Sequence, residues 1–163
     1  MKHTISILVE NHAGVLARVA GLFARRGFNI DSLAVGVTED EKISRITIIA
    51  DGTAYTLEQI EKQLNKLIDV IKVRHLPAEE LLSRELVLIK VACQPSQRAE
   101  LISLAEIAKA KISDMTVNTM TLELSDSVPR IKTFEELLRP YGIKETVRTG
   151  SIAMQKGGAS MKL

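Results

Sequence analysis

The sequence predicts an α+β protein built of two small βαββαβ domains in tandem, and three observations carry that prediction. Alternating apolar runs and apolar stripes at helical spacing follow in the order strand, helix, strand, strand, helix, strand, and do so twice. The length, 163 residues, suits two small domains, and 45% apolar with 26% charged residues is an ordinary globular balance. Between the halves, Leu76-Pro77-Ala78-Glu79-Glu80 reads as a joint, because Pro77 disfavours helix at Leu76 and the paired glutamates suit a solvated linker. The expected domains are therefore 1–77 and 78–163. Two helices can cover one face of each four-stranded antiparallel sheet, which is the ferredoxin-like arrangement.

In chain order, Ile5, Ile7 and Val9 alternate as a first strand. After Gly14, the residues Leu16, Val19, Ala20 and Phe23 fall at helical spacing. Gly27 follows Arg25 and Arg26, where a helix end favours a left-handed residue and nearby cations. Leu33, Val35 and Val37 alternate, 38–42 turn, and 43–50 return as a strand broken by Asp51-Gly52-Thr53. Leu57, Ile60, Leu64, Leu67 and Ile68 give a second helical stripe, and Val70 to His75 closes the half. In the second half, Val87, Ile89, Val91 and Cys93 alternate, and Leu101, Leu104, Ala105 and Ala108 line a helix. Residues 112–117 and 120–124 form a hairpin across Asn118-Thr119. Ser125-Asp126-Ser127 and Pro129 open a helix carrying Ile131, Phe134 and Leu138, and 143–149 is the last strand. From about 151 the chain, with Gly157, Gly158 and Ser160, is expected to fray.

The stretch from Glu10 to Ile30 holds the candidate site. Its loop puts Gly14 and several unpaired backbone N–H groups at the mouth of a helix, which attracts small anions such as the carboxylate of a free amino acid. Asn11 and Asn29 bracket the helix, and each amide can both donate and accept, enough for a zwitterion. Spacing alone leaves open that Asn11 only shapes a turn and Asn29 only starts a strand.

Other chemistries find little support. The three histidines, His3, His12 and His75, have no nucleophile near them in sequence, and no Cys-x-x-Cys occurs. Cys93 reads as a small core residue. No thiamine diphosphate or flavin motif is present, no bound metal is expected, and no run approaches the roughly 20 apolar residues of a membrane span. The net charge of +2 does not mark a nucleic-acid binder. Aromatics are 3% of residues and fall on expected helices or loops, against base stacking on a sheet. An acyl phosphate hydrolase of the same fold remains a rival, with Asn11, Gly14 and Arg18 as its phosphate cradle. With no signal peptide and one cysteine, a cytoplasmic protein is the expectation.

The wording of the site stretch is more specific than its spacing. It reads Asn-x-x-Gly-x-Leu-x-Arg from Asn11 to Arg18, then Gly21-Leu22-Phe23, then Arg26-Gly27-Phe28-Asn29-Ile30 with Ser32-Leu33. Ser44-Arg45-Ile46-Thr47, Glu58 to Leu64, Lys66-Leu67, Asp69-Val70, Arg84-Glu85-Leu86, Ile89-Lys90-Val91 and Arg148-Thr149-Gly150 continue the pattern. Together these resemble the regulatory (small) subunit of acetolactate synthase, also called acetohydroxyacid synthase, whose N-terminal part is an ACT domain. The likeness is dense in the first half, looser in the second, and departs from the usual pattern at Ala108, where a bulky aromatic is frequent.

The resemblance implies a noncatalytic subunit that binds and activates the catalytic (large) subunit and confers feedback inhibition by valine in branched-chain amino acid synthesis. It implies thiamine diphosphate and Mg²⁺, with or without FAD, in that partner and no cofactor here. It also implies a homodimer through the ACT domain, with effector residues Asn11, His12, Ala13, Gly14, Val15, Leu16, Asn29 and Ile30. A stand-alone ACT regulator of another enzyme is the alternative.

Overall fold

The computed structural model describes residues 1–162 and divides into two compact units, residues 1–83 with 151–162, and residues 84–150. The first contains β1 (Lys2–Glu10), α1 (Val15–Arg25), β2 (Ile30–Val37), β3 (Ile43–Asp51), α2 (Ala54–Leu64) and β4 (Val70–Leu76). Its sheet runs in the order β2-β3-β1-β4 and is antiparallel throughout. Next come β5 (Leu81–Ala92), α3 (Arg98–Ala108), β6 (Lys111–Met115), β7 (Thr119–Asp126), α4 (Val128–Leu138) and β8 (Ile143–Arg148), with sheet order β6-β7-β5-β8. The architecture is thus α+β, two βαββαβ ferredoxin-like units.

Alternation decides which side of each sheet takes the helices. In the first unit Ile5, Ile7, Ile46 and Ile48 meet Val19, Leu22 and Phe23 of α1 and Ile60 and Leu64 of α2. In the second, Val87, Ile89, Val91 and Cys93 meet Leu101, Ala105, Ile131, Phe134 and Leu138, so the lone cysteine is a core residue. Each set follows the period of two along a strand and about 3.6 along a helix.

The register of the first sheet separates the two ends of the candidate site. Ile30 of β2 lies opposite Ala50 of β3, which lies opposite His3 of β1. Val37 lies opposite Ser44, which lies opposite Val9. Asn29 precedes the first of these rows and Asn11 follows the second. From Ser44 to Ala50 a strand advances about 20 Å, so one chain holds its two asparagines at opposite ends of its sheet.

Three expectations are corrected. The tail does not fray from 151: Ile152–Gln155 is a strand, β9, that pairs with β5, whose residues 81–83 belong to the same unit. Arg45 of β3 donates to the carbonyl of Ala153 (3.0 Å) and to Ser6 Oγ (2.7 Å), and Arg74 donates to Gln155 Oε1 (3.2 Å). Ser6 and Leu8, on the face away from the helices, are buried as well as Ile5, Ile7 and Val9. Secondly, the units divide at Ser83/Arg84 rather than at Pro77, because the Glu80 N–H closes a tight turn on the Pro77 carbonyl and β5 starts immediately after. Thirdly, α2 ends at Leu64 with Asn65 as its cap, so Leu67 and Ile68 lie beyond it and Ile68 is fully exposed.

Candidate functional site

Gly14 takes φ +87° at the head of α1, a left-handed conformation that glycine adopts without the cost of a Cβ. No side chain caps this helix, and its first turn carries no acidic residue. The leading N–H groups of α1, at Val15, Leu16 and Ala17, thus point out of the helix without an internal acceptor. Val15 is buried in the core while Leu16 stands half-exposed at the rim.

Around this mouth the loop is tied down from three sides. The Asn11 N–H donates to the Lys42 carbonyl (2.7 Å) and its Nδ2 to the Glu41 carbonyl (2.7 Å). The Glu10 N–H donates to the Asp69 carbonyl (2.9 Å). The Asp69 side chain, only 7% exposed, carries the third tie, with Oδ1 3.0 Å from His12 Nε2 and Oδ2 2.6 Å from Arg18 Nε. The second contact lies off the hydrogen-bond axis, so charge holds it and Oδ2 has no hydrogen bond of its own.

His12 Nε2 also lies 3.2 Å from Glu10 Oε2, and Nδ1 lies 3.2 Å from the Ala13 carbonyl. The Ala13 carbonyl, then the Glu10 and Asp69 carboxylates, raise the imidazole above its ordinary pKa against a lesser opposing effect of burial. Glu10, His12 and Asp69 are also the one grouping among the described residues with ligand atoms close enough for a metal, within 4.8 Å of one another. Arg18 already brings a cation to the buried carboxylate, and that disfavours a second one there.

The structure gathers Asn11, His12, Ala13, Gly14, Val15 and Leu16 at the mouth and leaves Asn29 and Ile30 at the far end of the sheet. At that end Asn29 Nδ2 donates to Asp31 Oδ1 (2.9 Å). Each asparagine therefore has one amide hydrogen engaged, and neither Oδ1 accepts a hydrogen bond within the described chain. Asp69, at the entry of a strand, is a participant that local reading passes over, and Arg18 enters that reading only as a motif position and in the rival phosphate cradle, not among the effector residues. The signal that finds Arg18 is its place four residues after Gly14, on the same helix face.

No Phe or Tyr lies on a strand, since Phe23, Tyr55 and Phe134 are helical and Phe28 and Tyr141 lie in connections. In the second unit an apolar cleft of about 270 Å³ opens beside Ala108, between Ile107, Phe134 and Leu137. Among the described residues no helix is long and apolar enough to cross a membrane.

A βαββαβ unit with an uncapped, glycine-headed first helix has the build of an amino-acid-sensing ACT domain. Residues 5–72 match the family described as AHAS small subunit-like ACT domain, and residues 84–157 match that described as small subunit of acetolactate synthase. A probable acetolactate synthase small subunit of Archaeoglobus fulgidus is 50% identical, over 96% of this chain and 98% of its own length. The acetolactate synthase small subunit of Mycobacterium leprae is 44% identical, over 95% and 92%. The crystal structure of the Thermotoga maritima acetolactate synthase small subunit superposes with a TM-score of 0.91 at 38% identity, over 98% and 99% of the two chains. The chain belongs to the acetolactate synthase small-subunit family. It is a regulatory subunit, which implies a large catalytic one.

Proposed function

We propose that this chain binds and activates the catalytic subunit of acetolactate synthase in the cytoplasm and makes it sensitive to valine, bound at a site shared by two copies of the chain. The condensation of pyruvate with a second 2-oxoacid stays in the partner, with thiamine diphosphate, Mg²⁺ and, where used, FAD. One observation carries the shared site, the separation of Asn11 and Asn29 by the length of the sheet.

Strand β2 is an edge strand with Val35 and Val37 exposed. Two copies pairing antiparallel along β2 would set Ile30 of one beside Val37 of the other. That brings Asn29 of each copy to the end of the sheet where the other presents residues 11–16. The N–H groups at Gly14, Val15 and Leu16 then receive the carboxylate, and the unoccupied Oδ1 atoms of Asn11 and Asn29 face the ammonium. His12 and Ala13 complete the loop, and Ile30 meets the aliphatic side chain.

Reconstitution tests the reading. Acetolactate formation by the catalytic subunit should rise when this chain is added and fall again with valine, with leucine and isoleucine run alongside. A rate indifferent to the chain, or an activated complex indifferent to all three amino acids, contradicts it.

A further inference from the structure

The geometry points to Arg18 as the side chain that takes the effector's carboxylate, aimed at the mouth of α1 by the buried carboxylate of Asp69. This inference rests on the effector site proposed above and adds a residue to it.

Asp69 is 5% exposed, and a buried carboxylate is retained only where it is compensated. Its partners are two side chains beside Gly14, an imidazole and a guanidinium: Oδ1 meets His12 Nε2 at 3.0 Å and Oδ2 meets Arg18 Nε at 2.6 Å. Its carbonyl, 2.9 Å from the Glu10 N–H, fixes the carboxylate to the strand that leads into the loop. Arg18 lies one turn into α1, and helical side chains lean toward the N-terminus. The guanidinium accordingly reaches back along the first turn until Nη2 stands 3.9 Å from where a Cβ on Gly14 would be.

With Nε engaged, Nη1 and Nη2 remain, and neither makes a hydrogen bond among the described residues. A planar guanidinium with two outer nitrogens unspent, half-exposed beside uncapped helix N–H groups, fits a carboxylate in two-point contact. Glu10 and Asp69 place carboxylates beside the loop, which attract the ammonium of a zwitterion and repel a simple anion. Asp69 is thus a positioning residue, and Arg18 is the one in contact with ligand.

Calorimetry on the full chain tests this with L-valine and with L-valinamide, which lacks the carboxylate. The wild type should bind valine well and valinamide weakly. Arg18→Gln should weaken valine by about 10- to 150-fold while leaving valinamide almost unchanged, so that the preference collapses. Arg18→Lys keeps the charge and loses the fork, and should fall between. Asp69→Asn should lose preference in the same direction, and melting curves identify a chain that has failed to fold. Valine affinity and preference unchanged in a folded Arg18→Gln overturn the inference. If the wild type binds valine but Gly14→Asp binds it equally well, the location of the site is wrong, and the inference falls with it. A wild type that binds none of valine, leucine and isoleucine overturns the effector reading as a whole.

Discussion

The two units share one topology and treat the head of their first helix in opposite ways. In the first, α1 begins at a left-handed glycine with no side-chain cap. In the second, Gln94 and Gln97 reciprocally cap a 3₁₀ turn over Pro95–Gln97, with the Gln94 N–H 3.1 Å from Gln97 Oε1, and that turn runs straight into α3, which has no side-chain cap of its own. Glu100 adds a carboxylate to the first turn of α3, where α1 has none. The reciprocal cap spends the donors of the turn that stands before α3, whereas only the left-handed Gly14 stands before α1. The same fold therefore leaves one helix mouth open and puts a capped turn ahead of the other. This is a reason to place the effector in the first unit that does not depend on likeness to other proteins.

Breaking the open mouth should have the largest effect. Gly14→Asp introduces a side chain at φ +87° and a negative charge where the carboxylate would sit. Valine binding should be abolished in calorimetry, with a stability loss of about 1–2 kcal/mol from the left-handed backbone. Next in size is removal of residues 151–163, which deprives Arg45 of the Ala153 carbonyl and Arg74 of Gln155. A lost hydrogen bond to a charged group costs about 1.5–3 kcal/mol. Amide exchange should quicken in β1, β3 and the start of β5 and stay slow in residues 87–91 of β5 and in β7, whereas unchanged protection in the first unit would show that the strap adds little.

Closing the comparison from the other side has a smaller effect. Gln97→Ala removes the reciprocal cap of the second unit and should cost about 1 kcal/mol in a melt. No second valine site should appear in calorimetry, because that helix head has neither a left-handed glycine nor a buried acid to shape it.

The smallest effect is a pH dependence. The His12 pKa is raised in the folded chain, chiefly by the Ala13 carbonyl and then by Glu10 and Asp69. Its contribution to stability is complete below the ordinary histidine value of 6.5 and is lost as pH rises through the raised one. His75 is shifted downward by burial and by His3, so it acts in the opposite sense. The difference between wild-type and His12→Gln melting curves isolates the first effect. That difference should shrink from pH 6 toward pH 8, and a constant difference would show that His12 does not titrate in the fold.

Most of the fold was legible because each element carries a strong local period, as in Ile5, Ile7 and Val9 or Val87, Ile89 and Val91. The returning strap was not, because what holds it is remote. Arg45 reaches Ala153 across 108 positions, and Arg74 reaches Gln155 across 81. Ser6 and Thr47, polar residues that an alternating pattern assigns to the wet face, are buried on the side of the sheet away from the helices. Leu67 and Ile68 extend the apolar stripe of α2 past its real end, because a stripe does not show where the backbone turns. At the site, the glycine and the asparagines were legible from wording and spacing. Asp69 was not, since burial of its carboxylate depends on His12 and Arg18, both far earlier in the chain.

The central claim is that each effector site takes Asn11 from one copy and Asn29 from the other, and mixing variants tests it most directly. Asn11→Ala and Asn29→Ala chains alone should each bind valine weakly, by about 10- to 150-fold for the second, because both sites of either dimer lack one asparagine. When the two are mixed and exchanged, a mixed dimer gathers both defects into one site and leaves its other site intact. Titration of the mixture should then recover a class of tight sites absent from either parent. If subunits exchange and no tight class appears, the two asparagines do not meet across a dimer, and the shared site is wrong.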